Sequence, residues 1–118
     1  MKYLLLVYYD EQALSDTERE QCYIESAQLT QRLHEGGHYL SASPLQSIAT
    51  ATSLRMRNGK RLVTDGPFAE THEQLGGYFL IQATNLDEAL DIAAQIPVAR
   101  LGTIEVRPIM EIPGLPES

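Results

Sequence analysis

From Tyr3 to Tyr9 the chain is apolar at every position, with Tyr3, Leu5, Val7 and Tyr9 alternating with Leu4, Leu6 and Tyr8. An antiparallel strand with one wet face would alternate with polar residues, so this run predicts a strand covered on both faces. Ser15-Asp16-Thr17-Glu18 fits the capping-box pattern and predicts a helix from Asp16. Cys22, Ser26, Leu29 and Leu33 share one stripe of that helix at helical spacing, and Gly36-Gly37 ends it. Tyr39–Ala42 reads as a short strand closed by Pro44. Leu54–Arg57 and Lys60–Thr64 flank Asn58-Gly59, a strong hairpin signal because both turn positions need positive φ. Another strand is predicted over Gly77–Ala83. Asn85 then caps a second helix with Asp87 and Glu88 in its first turn, an apolar face of Leu86, Ala89, Leu90 and Ala93, and Pro97 as its stop. Thr103–Ile109 is the last strand, Pro108 marking an edge, and residues 112–118 read as a tail.

This order, strand-helix-strand-hairpin-strand-helix-strand, holds two βαβ-type units in tandem. It predicts an α+β, ferredoxin-like βαββαβ protomer with an inserted β-hairpin, residues 1–111 forming one domain and both helices lying on one sheet face. Tyr3–Tyr9 and Gly77–Ala83, the most apolar strands, are the expected central pair. The helices leave the opposite apolar face bare, which is more than a monomer usually exposes. A homodimer packed sheet to sheet, a dimeric α/β-barrel, is the expected assembly, with a cleft enclosed between its sheets.

Charge narrows the partners. The 118 residues carry a formal net charge of −7, which argues against direct nucleic-acid binding and against an anionic membrane surface. Cys22 is the one cysteine, so neither a disulfide framework nor a thiolate metal cluster is expected, and a reducing cytoplasm suits the composition. The Tyr3–Tyr9 run is too short to span a bilayer and no small-residue cleavage site follows it, so no membrane or targeting segment is expected.

Candidate chemistry concentrates between Leu62 and Tyr78. Gly66-Pro67 fixes a stiff reversal, with Asp65 directly before it. Asp65 serves either as an Asx-type cap accepting from backbone N–H groups, or as a carboxylate aimed into a cleft. Paired with His72 it would make a general base near neutral pH, with Tyr78 or Tyr8 holding a carbonyl or enolate oxygen. Arg55 and Arg57 belong to a basic island on the hairpin with Lys60 and Arg61, four of the nine Lys and Arg. The island is either a solvated edge or a lid that attracts a small anionic molecule. His34-Glu35-Gly36-Gly37-His38 spells the zincin pattern, but two glycines break the helix that pattern requires, so no metal site is expected. Cys22 falls on the buried stripe and reads as core.

Val63-Thr64-Asp65-Gly66-Pro67-Phe68-Ala69-Glu70-Thr71, followed by Glu73-Gln74-Leu75-Gly76-Gly77-Tyr78, resembles the signature of the DGPF family of YCII-related proteins. Met1-Lys2-Tyr3-Leu4-Leu5-Leu6 and Ile104-Glu105-Val106-Arg107-Pro108-Ile109 resemble it too. The resemblance implies a dimeric α/β-barrel of ferredoxin-like protomers in the bacterial cytoplasm. It carries over Asp65 as the motif carboxylate. Typical YCII-type members place a His on the first helix to pair with an Asp; the stretch Ser26 to Gln28 has none here, so that dyad does not carry over. His72 stands where many relatives have Lys. Two functions follow as expectations: a small-molecule site with cofactor-independent acid–base chemistry of isomerase, lyase or lactone-hydrolase type, or a non-catalytic regulatory module associated with a sigma factor.

Overall fold

The structure, a computed structural model, describes residues 1–116. In chain order the elements are β1 (Lys2–Tyr9), α1 (Asp16–Glu35), β2 (Tyr39–Pro44), β3 (Thr52–Arg57), β4 (Lys60–Asp65), β5 (Gln74–Gln82), α2 (Leu86–Ala93) and β6 (Thr103–Pro108). Single 3-10 turns occupy Ile48–Thr50 and Pro97–Arg100. Four strands form an antiparallel sheet in the order β2-β5-β1-β6, while β3 and β4 pair only with each other. This is the ferredoxin-like α+β arrangement with β1 and β5 at its centre and the hairpin inserted between β2 and β5. Beyond β6 the expected tail runs without helix or strand to Pro116, its last two residues lying outside the described ones.

Local chemistry explains the elements. Ser15 Oγ accepts from Glu18 N at 3.1 Å, and Glu18 Oε1 accepts from Ser15 N at 3.0 Å. Both halves of the capping box are therefore made, satisfying two amides at the start of α1. Cys22, Leu29 and Leu33 are buried on the sheet side of that helix. Asn58 and Gly59 close the hairpin with φ of 52° and 74°, as a primed turn requires.

Three expectations change. Strand β5 begins at Gln74 rather than Gly77, because the β1–β5 ladder continues past the glycines through an irregularity at Val7/Tyr8. The buried face of α2 is Ala89, Ile92 and Ala93, whereas Leu86 and Leu90 are 49% and 46% exposed. Small residues at three-and-four spacing let this short helix sit close to the sheet, with the two leucines at its margin. Pro97 does not stop α2, which ends at Ala93; it opens the following 3-10 turn, where a missing N–H costs nothing.

The core lies between the helices and one sheet face. Tyr3, Leu5, Val7 and Tyr9 from β1, with Phe79 and Ile81 from β5, pack under Leu29, Leu33, Ala89, Ile92 and Ile96. The other face presents Leu4, Leu6 and Tyr8 beside Leu80, Tyr78 and Leu75, half-buried or exposed, with no helix among the described residues packed on them. The molecule is correspondingly a slab, 47 × 43 × 20 Å, with a radius of gyration of 16.1 Å. A compact chain of this length would have ~13.5 Å. Among the described residues no helix is long and apolar enough to cross a membrane.

Ile81 is fully buried while Leu86 is half exposed. Ile81→Ala is expected to lower the unfolding free energy by about 2–5 kcal/mol, and Leu86→Ala by less than about 1 kcal/mol. Urea denaturation followed by circular dichroism measures both.

Candidate functional site

A cavity of about 260 Å³ opens between the stretch from Arg19 to Thr30 of α1 and the β2–β5 side of the sheet. Its roof is α1, through Arg19, Cys22, Tyr23, Ser26, Ala27 and Thr30. The end of β1 contributes Val7 and Tyr9, and β5 contributes Gly76, Gly77, Tyr78 and Phe79. Ala42 and Tyr39 of β2 close one side, and Ile96 and Val98 the base.

The glycines explain why the space exists. A Cβ on Gly76 would overlap the Tyr9 ring, so the absence of a side chain there lets that ring lie flat against β5. Tyr9 thus packs at the sheet end, where it shares the cavity wall with Arg19. Arg19 is held in turn: Nη1 donates to Asp16 Oδ1 at 3.0 Å, and Nη2 to the carbonyl oxygens of Glu11 at 3.2 Å and Leu14 at 3.5 Å. Burial raises the Tyr9 pKa above its ordinary value, and Arg19 opposes this only in part, so the phenol stays protonated at neutral pH. Burial likewise raises the Cys22 thiol, which favours the neutral form and a packing role.

The residues expected from the motif lie mostly elsewhere. Asp65, at the end of β4, is exposed and opposite Thr52. The reversal after it is fastened by the backbone instead: Gly66 N donates to the Ala51 carbonyl at 2.7 Å, and Ser53 Oγ donates to the Gly66 carbonyl at 2.8 Å. Among the described residues Asp65 makes no side-chain hydrogen bond or ion pair, so the Asx-type cap is not what closes the turn. His72 is exposed on the next loop, whose backbone is pinned by Gln74 Nε2 donating to the carbonyls of Thr71 at 2.7 Å and His72 at 3.3 Å. No hydrogen bond joins Asp65 to His72 among the described residues. Arg55 and Arg57 stand in solvent on the hairpin. Tyr8 donates to Glu105 Oε1 at 3.3 Å on the open sheet face. Burial, then the Glu105 charge, raises its pKa. Tyr78 alone of the expected residues borders the cavity, though its side chain stands on the open sheet face beside Leu6, where its hydroxyl pairs with Ser41 Oγ at 3.0 Å.

The zincin-like spelling is dissolved by the fold. His34 lies in the last turn of α1, while His38 lies past the cap with Nδ1 2.8 Å from the Gln82 carbonyl. No cluster of three or more metal-ligating side chains occurs among the described residues.

The family model for the YCII-related domain matches residues 1–113. The chain belongs to the YCII-related family. A relative in Rhizobium meliloti (strain 1021), an uncharacterized protein, is 39% identical over 114 residues, covering 92% of each chain. In this YCII-related chain the first-helix stretch that carries no His, Ser26 and Ala27 included, forms part of the cavity roof. Sequence reasoning missed Tyr9, Arg19 and Ser26 as site residues. The available signal was Gly76-Gly77 inside a strand, since glycine there marks a close approach of another group.

Because its carboxylate fastens nothing within the protomer, Asp65→Asn is expected to leave the melting temperature within about 2 °C of the parent. Differential scanning fluorimetry measures this; a larger drop would restore the turn-cap role.

Proposed function

We propose that this YCII-related protein binds a small organic molecule in the cavity beneath α1 and does so as a homodimer. The cavity carries the reading: a largely apolar space, roofed by one helix and floored by the Gly76-Gly77 end of the signature segment. Binding sites for small molecules are generally concave, mostly apolar and furnished with a few placed polar groups. Reaction chemistry compatible with the family segment is acid–base, of isomerase, lyase or lactone-hydrolase type. Asp65 and His72 enter it only where a second subunit covers them, because both are exposed in one protomer.

Dimerisation is supported by the bare sheet face and by the hairpin. Leu54, Met56 and Val63 share one side of the hairpin, and Phe68 after it is 81% exposed. Burying such surface against a second copy removes apolar area from water at roughly 25 cal/mol per Å². Arg55 and Arg57 would then lie near an interface rather than in open solvent, where they could meet an acidic or anionic group.

Two measurements test the reading. A thermal-shift screen of ring compounds, small acids and lactones is expected to return ligands that raise the melting temperature of the parent and not of Ala27→Trp, whose indole fills the roof. Stabilisers acting equally on both would place binding elsewhere. Sedimentation equilibrium at micromolar concentration is expected to show a dimer that Leu80→Glu converts to a folded monomer. A monomeric parent would remove the dimer from the proposal.

A further inference from the structure

Arg19 is the one side chain lining the cavity that carries a formal charge. Its place is fixed by the backbone: Nη2 donates to the Glu11 carbonyl at 3.2 Å and to that of Leu14 at 3.5 Å, and Leu14 is itself buried in the cavity wall. The carboxylates on either side in sequence are committed elsewhere. Glu11 accepts from Ser47 Oγ and from Ile48 N, both at 2.9 Å, and Glu18 accepts from Ser15 N at 3.0 Å. That leaves Asp16, 3.0 Å from Nη1, as the counter-ion among the described residues, and its side chain is fully exposed. An ion pair of that kind contributes little, since water and salt compete for the carboxylate. Of the five N–H donors of a guanidinium, three are engaged in these contacts; Nε and the second Nη1 hydrogen donate to nothing among the described residues. The Arg19 side chain is 29% exposed, so it stands at the mouth, where the cavity meets solvent. Behind it the wall is apolar, with Tyr9, Phe79 and Ile96 buried. At about 260 Å³ the space lies just under the usual range for drug-sized ligands, which suits a compound of one or two rings.

Resting on the proposal above that the cavity is the binding site, we infer that it takes a flat cyclic monocarboxylate, whose ring lies against the apolar wall and whose carboxylate pairs with the Arg19 guanidinium at the mouth. A planar carboxylate matches the guanidinium fork and makes charge-assisted hydrogen bonds, which are stronger than those to a neutral oxygen. At the edge of an apolar space that attraction is screened less than the pairing with Asp16 in open solvent. One cation in the wall matches one negative charge; a second on the ligand would be left without a partner. The net charge of −7 opposes the approach of any anion. Exposed charges more than about 8–10 Å away are largely screened at physiological salt, so this slows association more than it weakens the contact.

Two probes of nearly equal size separate the possibilities: 2-naphthoate, an anion at neutral pH, and 2-naphthamide, its neutral counterpart. Binding of each to the full chain is read by equilibrium dialysis. Naphthoate is expected to bind about tenfold or more tightly than the amide. Arg19→Gln is expected to cancel that preference, weakening naphthoate about tenfold and changing the amide less than about twofold. Asp16→Asn removes the competing counter-ion and leaves the Ser15–Glu18 capping box in place. It is expected to tighten naphthoate by about 2- to 5-fold and leave the amide unchanged, a gain that a purely structural Arg19 would not show. Ala27→Trp is expected to abolish binding of both probes, with Ser26→Phe from the same roof as the second blocking variant and circular dichroism as the check on folding. Amide binding as tightly as naphthoate, yet blocked by these variants, overturns the carboxylate class and leaves the site standing. A naphthoate preference that persists in Arg19→Gln, or that Asp16→Asn does not increase, overturns the role of Arg19; where Arg19→Gln does not fold, Asp16→Asn decides. Binding that survives the blocking variants, or no binding by either probe, overturns the site and the inference with it.

Discussion

Between Val7 and Tyr8 the ladder that joins β1 to β5 slips, and one residue of β5, Gly76, is left over. Side chains alternate across a strand, so an extra residue resets which side each later position faces. On one side of the slip Leu75 stands opposite Tyr8 on the open face, while Tyr9 turns toward the helices. The leftover position lies against the Tyr9 ring, and only a residue with no side chain fits there. Without this irregularity the sheet end under α1 would be filled by a β5 side chain. With it, the Tyr9 ring takes that place and a cavity remains between the ring and the helix. The central strand pair therefore sets the core, the two faces and the site together.

The two faces then diverge in chemistry. On the helix side, side chains of β1 and β5 meet Leu29, Leu33, Ile92 and Ile96, and the packing closes except beside Tyr9. On the other side a middle strip of Leu and Tyr is flanked by Ser41 and Ser43 from β2 and by Thr103, Glu105 and Arg107 from β6. An apolar centre with a polar rim is the anatomy that the proposed dimer would use. The slab shape goes with that bare face, because a two-layer domain that buried all its apolar surface would be more nearly round. The hairpin extends this plane, paired only with itself and anchored where Ala51 and Ser53 hold Gly66.

Much of this was legible from local rules. The capping box at Ser15, the Asn58-Gly59 turn and the Asn85 cap are short-range devices whose hydrogen bonds close within four residues, and each forms where its residues stand. The order of elements and the apolar weight of β1 and β5 were enough for the sheet topology. What was not legible depends on pairs distant in sequence. The sequence starts β5 at Gly77 rather than Gln74, because the glycine pair reads as a break until the Tyr9 ring that covers Gly76 is known. The apolar face of α2 read from the sequence, Leu86, Ala89, Leu90 and Ala93, holds for its alanines, but close helix–sheet approach rotates Ile92 inward and leaves the leucines at the margin. Arg19 sits among Asp16, Glu18 and Glu20, a neighbourhood that reads as a wet helix surface; only the chain's return through Glu11 and Leu14 gives it a structural task.

Asp65 shows why the family segment and the cavity need not be the same device. A carboxylate becomes an effective base when its surroundings restrict water and hold its partner, and neither holds for Asp65 or His72 in the isolated protomer. The segment nevertheless spans both regions. Its first part, through Gly66, is tied to the hairpin, and its last part, Gly76 to Tyr78, is the floor of the cavity. Between them Gln74 fixes the loop by accepting from Glu11 N and donating to Thr71 and His72, and Glu11 in turn caps the Ser47–Thr50 turn through Ser47 Oγ and Ile48 N. A movement of the hairpin would thus be felt at Glu11, whose carbonyl is one of the three groups holding Arg19 in the cavity wall. A subunit docking on Phe68 and the hairpin, as in the proposed dimer, would reach the cavity wall through that chain of contacts.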